Sequence, residues 1–428
     1  SSKSSENSLP IRKVRTESLV QTGSFFSCHL PFKKVNSEKY TERKFMKQYL
    51  ERASILALSL VLITSFSISS ALPAMFDYYQ GYPKEQIELL VSLPSFGIMI
   101  MLVLNGVLER LFPERLQISL GLLILSIGGT APFWYQDYNF VFAMRILFGL
   151  GVGMINAKAI SIISERYHGK TRIQMLGLRG SAEVVGASIL TLVVGQLLSL
   201  GWTVTFLAYS AGFLVLILYL LFVPYGKEKK EVKKREAETT RLTGQMKGLI
   251  FLLAVEAAVV VCTNTAITIR IPSLMVERGL GDAQLSSLVL SIMQLIGILA
   301  GVSFSFFISL FKERLLLWSG IAFGLGQIVI ALSPSLGVMI VGSIVAGFSY
   351  SVALTTVFQL LSERIPAKLL NQATSFAVLG CSFGAFTTPF ILGAIGLVTQ
   401  NGMLVFTILG CWLIVTSIFV MYLLQKRA

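Results

Sequence analysis

The sequence has few charged residues and few of the side chains that usually bind metals. Charged residues make up 14% of the 428 positions, whereas 54% of the positions are hydrophobic. A soluble protein of this length could not bury so much apolar surface, so lipid must solvate a large part of the chain. The two histidines, His29 and His168, lie outside the long apolar segments, which argues against a metal-dependent membrane enzyme.

Cysteine is also scarce, and its spacing suggests no covalent or metal framework. Cys28, Cys262, Cys381 and Cys411 show no paired spacing, and the last three lie in apolar segments. These three therefore read as small apolar side chains rather than disulfides or metal ligands. The chain also lacks a nucleotide-binding P-loop, so the sequence does not support nucleotide hydrolysis as an energy source. We expect no metal and no cofactor.

The dominant feature that is present is a series of apolar segments of about 20 residues, each long enough to cross a roughly 30 Å hydrocarbon core. Only helices satisfy the backbone polar groups of such segments in lipid, so the sequence predicts an all-α membrane protein. We interpret the segments as twelve transmembrane helices, at about 53–76, 87–108, 116–135, 139–163, 173–198, 203–224, 248–274, 285–310, 315–333, 336–361, 370–396 and 402–424.

Lysine and arginine are distributed unevenly between the breaks that separate these segments. The breaks on one side and the C-terminal end together hold 19 of them, whereas the opposite breaks hold only Lys84 and Arg278. This asymmetry predicts that both termini are cytoplasmic and that the protein is a multi-pass protein of the cytoplasmic (plasma) membrane. Basic loops against an anionic leaflet also account for the net charge of +14 without nucleic acid.

The sequence repeats itself about 200 residues later. The segment Leu111-Phe112-Pro113-Glu114-Arg115-Leu116 returns as Leu310-Phe311-Lys312-Glu313-Arg314-Leu315, and Ser164-Glu165-Arg166 returns as Ser362-Glu363-Arg364. Two similar halves indicate a substrate path between them and a rocking motion of one half on the other. The predicted organisation is a basic tail (1–52), a six-helix bundle (53–224), a charged cytoplasmic linker (225–247), a second six-helix bundle (248–424) and a short tail (425–428).

The N-terminal tail is rich in serine and basic residues and has no apolar periodicity. Such a composition predicts disorder. A basic segment that contacts anionic lipid is the functional alternative. A third hypothesis is that Met46 is the native start and that residues 1–45 are an upstream extension.

Three sequence stretches resemble the major facilitator superfamily. The first is the loop after the second span, where Gly106, Glu109, Arg110 and Arg115 fit a glycine-rich loop of acidic and basic residues. The second is Arg145-Ile146-Leu147-Phe148-Gly149-Leu150-Gly151-Val152-Gly153 in the fourth span. The third is the glycine-rich fifth span from Gly177 to Gly186, which lacks the proline typical of drug–proton antiporters in this family. The resemblance implies that the loop latches the halves on the cytoplasmic side and that Arg145 serves substrate or proton handling.

Charged residues inside membrane spans cost roughly 2.5–3.5 kcal/mol each at the centre, so each of them requires a reason. Asn156 shares the helical face of Arg145 and Gly149, whereas Lys158 lies off that face and is expected to snorkel. Six charged residues inside the spans are candidates for a functional role: Arg145, Lys158, Arg179, Glu183, Glu256 and Arg270.

The two carboxylates in this set are candidate proton-coupling residues, together with Arg145. Glu183 lies four residues after Arg179 and could pair with Arg179 or with Arg145. Such a pair is either a permanent salt bridge or a carboxylate whose proton affinity changes as its arginine moves. Glu256 has no charged residue within one helical turn, so it is either a proton site or a residue that faces cytoplasmic water.

Five residues are predicted to bind substrate: Arg145, Asn156, Arg179, Asn264 and Gln294. The two amides Asn264 and Gln294 can hydrogen-bond a substrate or can join helices to one another. These residues and the repeat predict a secondary active transporter for a small organic solute, proton-coupled and working by alternating access.

Efflux by solute–proton antiport is the preferred hypothesis for direction. Uptake or exchange of a small organic anion is the alternative, because the six candidate span residues comprise four cations and two acids. A non-transporting receptor or an enzyme on the same scaffold is the hypothesis of another class, which the lack of catalytic constellations disfavours. The expected partners are the solute, protons and the bilayer, and the expected state is a monomer.

Overall fold

The computed structural model describes residues 46, 49–167, 169–223, 243–399 and 401–427. Within these ranges the chain is helical and forms no strand. Residues 1–45 and 224–242 lie outside them, so the predictions for the tail and for most of the linker stay predictions. The helices of the described ranges are α1 (Tyr49–Leu60), α2 (Thr64–Tyr78), α3 (Lys84–Ser92), α4 (Pro94–Leu111), α5 (Glu114–Thr130), α6 (Tyr138–Arg166), α7 (Gly169–Leu197), α8 (Thr203–Phe222), α9 (Gly244–Glu277), α10 (Ala283–Phe311), α11 (Leu315–Leu332), α12 (Leu336–Arg364), α13 (Ala367–Gly396) and α14 (Gly402–Arg427).

The helices follow the apolar segments of the sequence. Among the described residues, ten helical segments are long and apolar enough to cross a bilayer, or eleven when the bent pair α1 and α2 is counted as one span. The 50-residue segment Ala283–Leu332 counts once in that tally, although a turn at Lys312–Arg314 divides it into α10 and α11. The all-α membrane fold is confirmed. Counting α10 and α11 separately would add one span, and the predicted number of twelve and the cytoplasmic termini stay predictions.

Two of the predicted spans are broken, and the breaks leave backbone groups without helical partners. The first span bends by 49° between α1 and α2. The second span breaks between α3 and α4, where Pro94 begins the new helix. Proline has no N–H, so the carbonyl of Leu90, four residues earlier, loses its helical donor. A side chain from elsewhere must satisfy that carbonyl.

Equivalent glycines allow the same close helix contacts inside each of the two halves. A Cβ at Gly149 of α6 would overlap the carbonyl oxygen of Pro94, and a Cβ at Gly347 of α12 would overlap that of Met293. Both pairs of positions are related by the sequence repeat. Gly186 on Leu60 and Gly384 on Ala258 form a second equivalent set. These contacts support the two-half organisation, whose boundaries stay predictions.

The halves meet through a few helices. Helix α7 packs against α10, and helices α3 and α4 pack against α13. The hydroxyl of Ser188 in α7 donates to the backbone oxygen of Ser291 in α10 at 3.2 Å, and the hydroxyl of Ser291 returns a bond to Ser188 at 3.1 Å. Mutual hydrogen bonds of this kind join helices in an apolar environment.

Candidate functional site

Arg145 satisfies the backbone groups that the broken spans leave open. Its Nε donates to the carbonyl of Leu90 at 2.8 Å, and its Nη2 donates to the carbonyls of Ser65 at 2.6 Å and Val91 at 3.3 Å. The side chain is fully buried, and its guanidinium carbon lies 5.1 Å from the ring centre of Phe148. Arg145 therefore joins α6 to both broken spans of the first half.

Three of the predicted site residues come together between α6 and α7. Nη2 of Arg179 lies 2.5 Å from Oε1 of Glu183 and donates to Oδ1 of Asn156 at 3.3 Å. Of the two predicted pairs of Glu183, the one with Arg179 is formed, and no hydrogen bond or ion pair joins the described side chains of Arg145 and Glu183. The predicted role of Arg145 in substrate or proton handling stays a prediction.

The cluster formed by Asn156, Arg179 and Glu183 is accessible and incompletely bonded. The side chains of Arg179 and Glu183 are each 15% exposed, and Nε of Arg179 has no hydrogen-bond partner. A Cβ on Gly180, the next residue on α7, would meet no atom within 4 Å. The partly exposed guanidinium beside this open space leaves room for a ligand, although its unpaired Nε is itself buried.

The two amides predicted to bind substrate each keep a free acceptor. Oδ1 of Asn264 and Oε1 of Gln294 are buried and have no hydrogen-bond partner. Gln294 lies one helical turn from Ser291, which is bonded to Ser188, five residues after Glu183. This spacing places Gln294 closer than Ser291 to the membrane depth of the cluster. The contacts of the two amides are compatible with substrate binding and with joining helices, so both interpretations stay predictions.

Glu256 lies inside the second half. It is fully buried, and its Oε1 accepts a hydrogen bond from the hydroxyl of Ser417 in α14 at 2.7 Å. Its Oε2 has no partner, and no cation pairs with it among the described residues. The complete burial excludes the alternative that Glu256 faces cytoplasmic water in this conformation.

The repeated charges, at the helix ends predicted to be cytoplasmic, pair with each other in both halves. Arg166 lies 3.7 Å from Glu114, and the equivalent Arg364 lies 2.5 Å from Glu313. Each pair joins the start of one span, or the turn just before it, to the end of the following span. The sequence repeat therefore includes a repeated ion pair.

The residues of the predicted cytoplasmic latch make their described contacts within the first half. Glu109 pairs with Lys158 at 3.3 Å, and Arg115 donates to the carbonyls of Leu220 and Val223 at the end of α8. Gly106 and Arg110 are exposed. A latch between the halves therefore stays a prediction.

Sequence reasoning missed an ion pair at the opposite ends of the helices, between Glu88 of α3 and Arg270 of α9. Nε of Arg270 lies 2.7 Å from Oε1 of Glu88, and Nη2 donates to Oε2 at 3.2 Å. Glu88 falls at the start of the second predicted span and is not among the six charged span residues named from the sequence. The signal that could have found it is a carboxylate flanked by Ile87 and Leu89 about one turn before the end of α3.

Comparisons with known proteins agree with this architecture. The family model of the Major Facilitator Superfamily matches residues 55–389. A relative named hexuronate transporter, from Bacillus subtilis (strain 168), is 26% identical over 188 residues, which are 43% of this chain and 44% of that protein. The match therefore spans less than half of the relative's length.

Solved structures of transporters share the fold. A bacterial homologue of the human lysosomal transporter Spinster, in an inward-facing and unoccupied conformation, aligns with a TM-score of 0.69 at 17% identity, over 89% of this chain and 97% of that one. A peptide transporter in complex with sulfate aligns with a TM-score of 0.71 at 15% identity, over 88% and 94%. A D-xylose–proton symporter aligns with a TM-score of 0.68 at 17% identity, over 87% and 97%. With the family model covering most of its length, the chain belongs to the Major Facilitator Superfamily and is a multi-pass membrane protein.

Proposed function

We propose that the protein moves a small organic anion together with a proton, with Arg179 binding the anion and Glu183 carrying the proton. The observation that supports this most directly is the contact of Arg179 with both Glu183 and Asn156 beside open space. The name of the Bacillus relative, a hexuronate transporter, points to sugar acids as a substrate class to test first.

The charges of the cluster give the coupling a physical basis. In the empty site the positive charge of Arg179 is balanced by the carboxylate of Glu183. An entering monoanion can bind Arg179 only if Glu183 becomes protonated and neutral. Two carboxylates beside one guanidinium in a poorly solvated site would otherwise repel each other. A proton on Glu183 restores neutrality. One anion and one proton would therefore bind together.

Other buried groups can support the cycle. Asn156 accepts a hydrogen bond from the same Nη2 of Arg179 that contacts Glu183, and the free acceptors of Asn264 and Gln294 suit hydroxyl groups of a substrate. Glu256 is a second proposed proton site, because one of its oxygens has no partner. Its only described hydrogen bond is to Ser417, so protonation there would act on the packing of α9 against α14.

The test is uptake of radiolabelled D-glucuronate into proteoliposomes, with and without an inward proton gradient. Glu183→Gln should keep anion exchange but lose the acceleration by the gradient, because it cannot release a proton. Arg179→Ala should lower kcat/KM by roughly tenfold or more, as expected for loss of about 1.5–3 kcal/mol of charged hydrogen bonding.

The matched control is Glu363→Gln, because Glu363 is an exposed carboxylate at the cytoplasmic end of α12. It should leave uptake unchanged. Unchanged glucuronate uptake in Arg179→Ala, or an unchanged response to the gradient in Glu183→Gln, would contradict the proposal.

Efflux of an amphipathic compound in exchange for protons is the second candidate, and one observation favours it. A cavity of about 890 Å³ lies between α4, α9 and α13 and is bordered by apolar side chains, among them Val103, Phe251, Phe376 and Phe383. Proton-driven export of ethidium, without movement of glucuronate, would favour this candidate over the first.

A further inference from the structure

The ion pair between Glu88 and Arg270 joins a carboxylate of the first half to a guanidinium of the second. Nε of Arg270 lies 2.7 Å from Oε1 of Glu88 without hydrogen-bond geometry, and Nη2 donates one hydrogen bond to Oε2 at 3.2 Å. The pair therefore combines a close charge contact with one charge-assisted hydrogen bond. Glu88 is fully buried, whereas the side chain of Arg270 keeps 25% of its surface exposed.

This pair closes the ends of the helices that the charge distribution assigns to the outside. Glu88 belongs to the first half, and Arg270 belongs to the second. One turn before Glu88 on α3, Glu85 lies against Gly393 of α13, where a Cβ would overlap its side chain. If the halves rock apart on this side, Glu88 and Arg270 must separate.

Separation would leave Arg270 as a cation in need of a partner. Its only ion-pair partner among the described residues is Glu88. Arg270 also borders a small cavity of about 80 Å³, whose other charged lining residues are Lys84, Glu85 and Glu277. A charge that loses its partner at a partly buried site is costly unless a new counter-ion binds. Lys84 and the hydroxyls of Ser273 and Thr399 supply donors to an anionic counter-ion there, against the charges of Glu85 and Glu277.

We propose that Arg270 binds the carboxylate of the substrate when the outer side is open, and that Glu88 takes the place of that carboxylate when it is closed. The ligand class is a small organic carboxylate. This inference rests on the proposed transport of an anion and adds an outer recognition site to it. Glu88 then acts as a built-in competitor, so the outer site is exposed only when the internal carboxylate has left.

Two substitutions separate recognition from closure. Glu88→Gln removes the competing charge, so outer opening should become easier and the KM for external D-glucuronate should fall by about tenfold, a change of 1.4 kcal/mol. Arg270→Gln also removes the closing pair, but it removes the recognition group too. Its KM for external D-glucuronate should therefore rise by about tenfold or more.

Labelling of Ser273→Cys by a membrane-impermeant maleimide, with the native cysteines replaced by alanine, reports opening independently of transport. Labelling should increase in both Glu88→Gln and Arg270→Gln. D-Glucuronate should protect the cysteine with wild-type Arg270 but not with Arg270→Gln, and uncharged D-glucose should protect neither. The control Asp137→Asn changes an outer carboxylate that caps α6, a task asparagine performs equally well, and should alter nothing.

The outcomes distinguish this inference from the proposed function. If wild-type protein takes up glucuronate and Arg270→Gln has an unchanged external KM and intact protection, the outer site is refuted while the proposed function stands. If Glu88→Gln changes neither labelling nor KM, the role of Glu88 as competitor is refuted. Absence of glucuronate uptake in the wild type overturns the proposed function and this inference with it.

Discussion

Arg145→Ala is expected to lower the stability of the protein much more than the transport rate of each folded molecule. Arg145 donates to the carbonyls of Ser65, Leu90 and Val91, and in each case the span that carries the carbonyl is broken nearby. Each buried carbonyl left without a donor costs about 1–3 kcal/mol, and only that of Ser65 has another described donor, the hydroxyl of Tyr209 at 3.5 Å. The sum of several kcal/mol is a large fraction of a typical folding free energy.

The measurement is the midpoint of thermal unfolding of the detergent-solubilised protein, followed by size-exclusion fluorescence, beside the yield of folded protein. Arg145→Lys should be destabilised almost as strongly, because one ammonium on a flexible stem cannot reproduce the fork of a guanidinium that reaches two helices. Arg110→Ala, at an exposed arginine of α4, and Ser343→Ala, at the repeat equivalent of Arg145, are the controls and should shift the midpoint little.

The opposite result would restore the role that the family resemblance implies for Arg145. A variant with a normal unfolding midpoint and no glucuronate transport would place Arg145 in substrate or proton handling. A variant that unfolds early, yet transports normally per folded molecule at low temperature, would assign it to the structure alone.

The contrast between Arg145 and Arg179 shows what the sequence can predict about charged residues in spans. Arg179 and Glu183 are four residues apart on one helix, so a local rule predicts their pair, and the structure contains it. The partners of Arg145 lie more than 50 residues away on broken spans. Pro94 reveals from the sequence that the carbonyl of Leu90 lacks a donor, but only the packing of α6 against α4 determines which donor supplies it.

The same limit explains why the outer pair was missed. Glu88 and Arg270 are 182 residues apart and lie on helices from different halves. The repeat relates equivalent positions in the two halves, and it carries no information on which residues meet across them. Composition and periodicity predicted the apolar segments, the repeated charges and the order of the helices. These patterns are either local in the sequence or present in both halves of the repeat. Contacts between the halves are neither local nor repeated.

The second large effect is expected at the repeated glycines. A side chain at Gly149 would overlap the backbone of Pro94, and one at Gly347 would overlap the backbone oxygen of Met293. Backbone cannot move aside as a flexible side chain can, so Gly149→Leu and Gly347→Leu must push α6 from α4 and α12 from α10. Overpacking of this kind costs about 1–3 kcal/mol or more. We expect a much lower yield of folded protein and a lower unfolding midpoint for both variants.

Gly301→Leu in α10 is the matched control, because a Cβ there meets no atom within 4 Å. A leucine in that open position should be neutral or slightly stabilising, since glycine inside a helix is less favourable than most residues by up to about 1 kcal/mol. Similar losses at Gly149 and Gly347 would mean that both halves depend on the same helix crossing. A loss of stability in Gly149→Leu alone would show that the two equivalent contacts differ in their contribution to stability. Unchanged stability in both variants would contradict the close helix crossings.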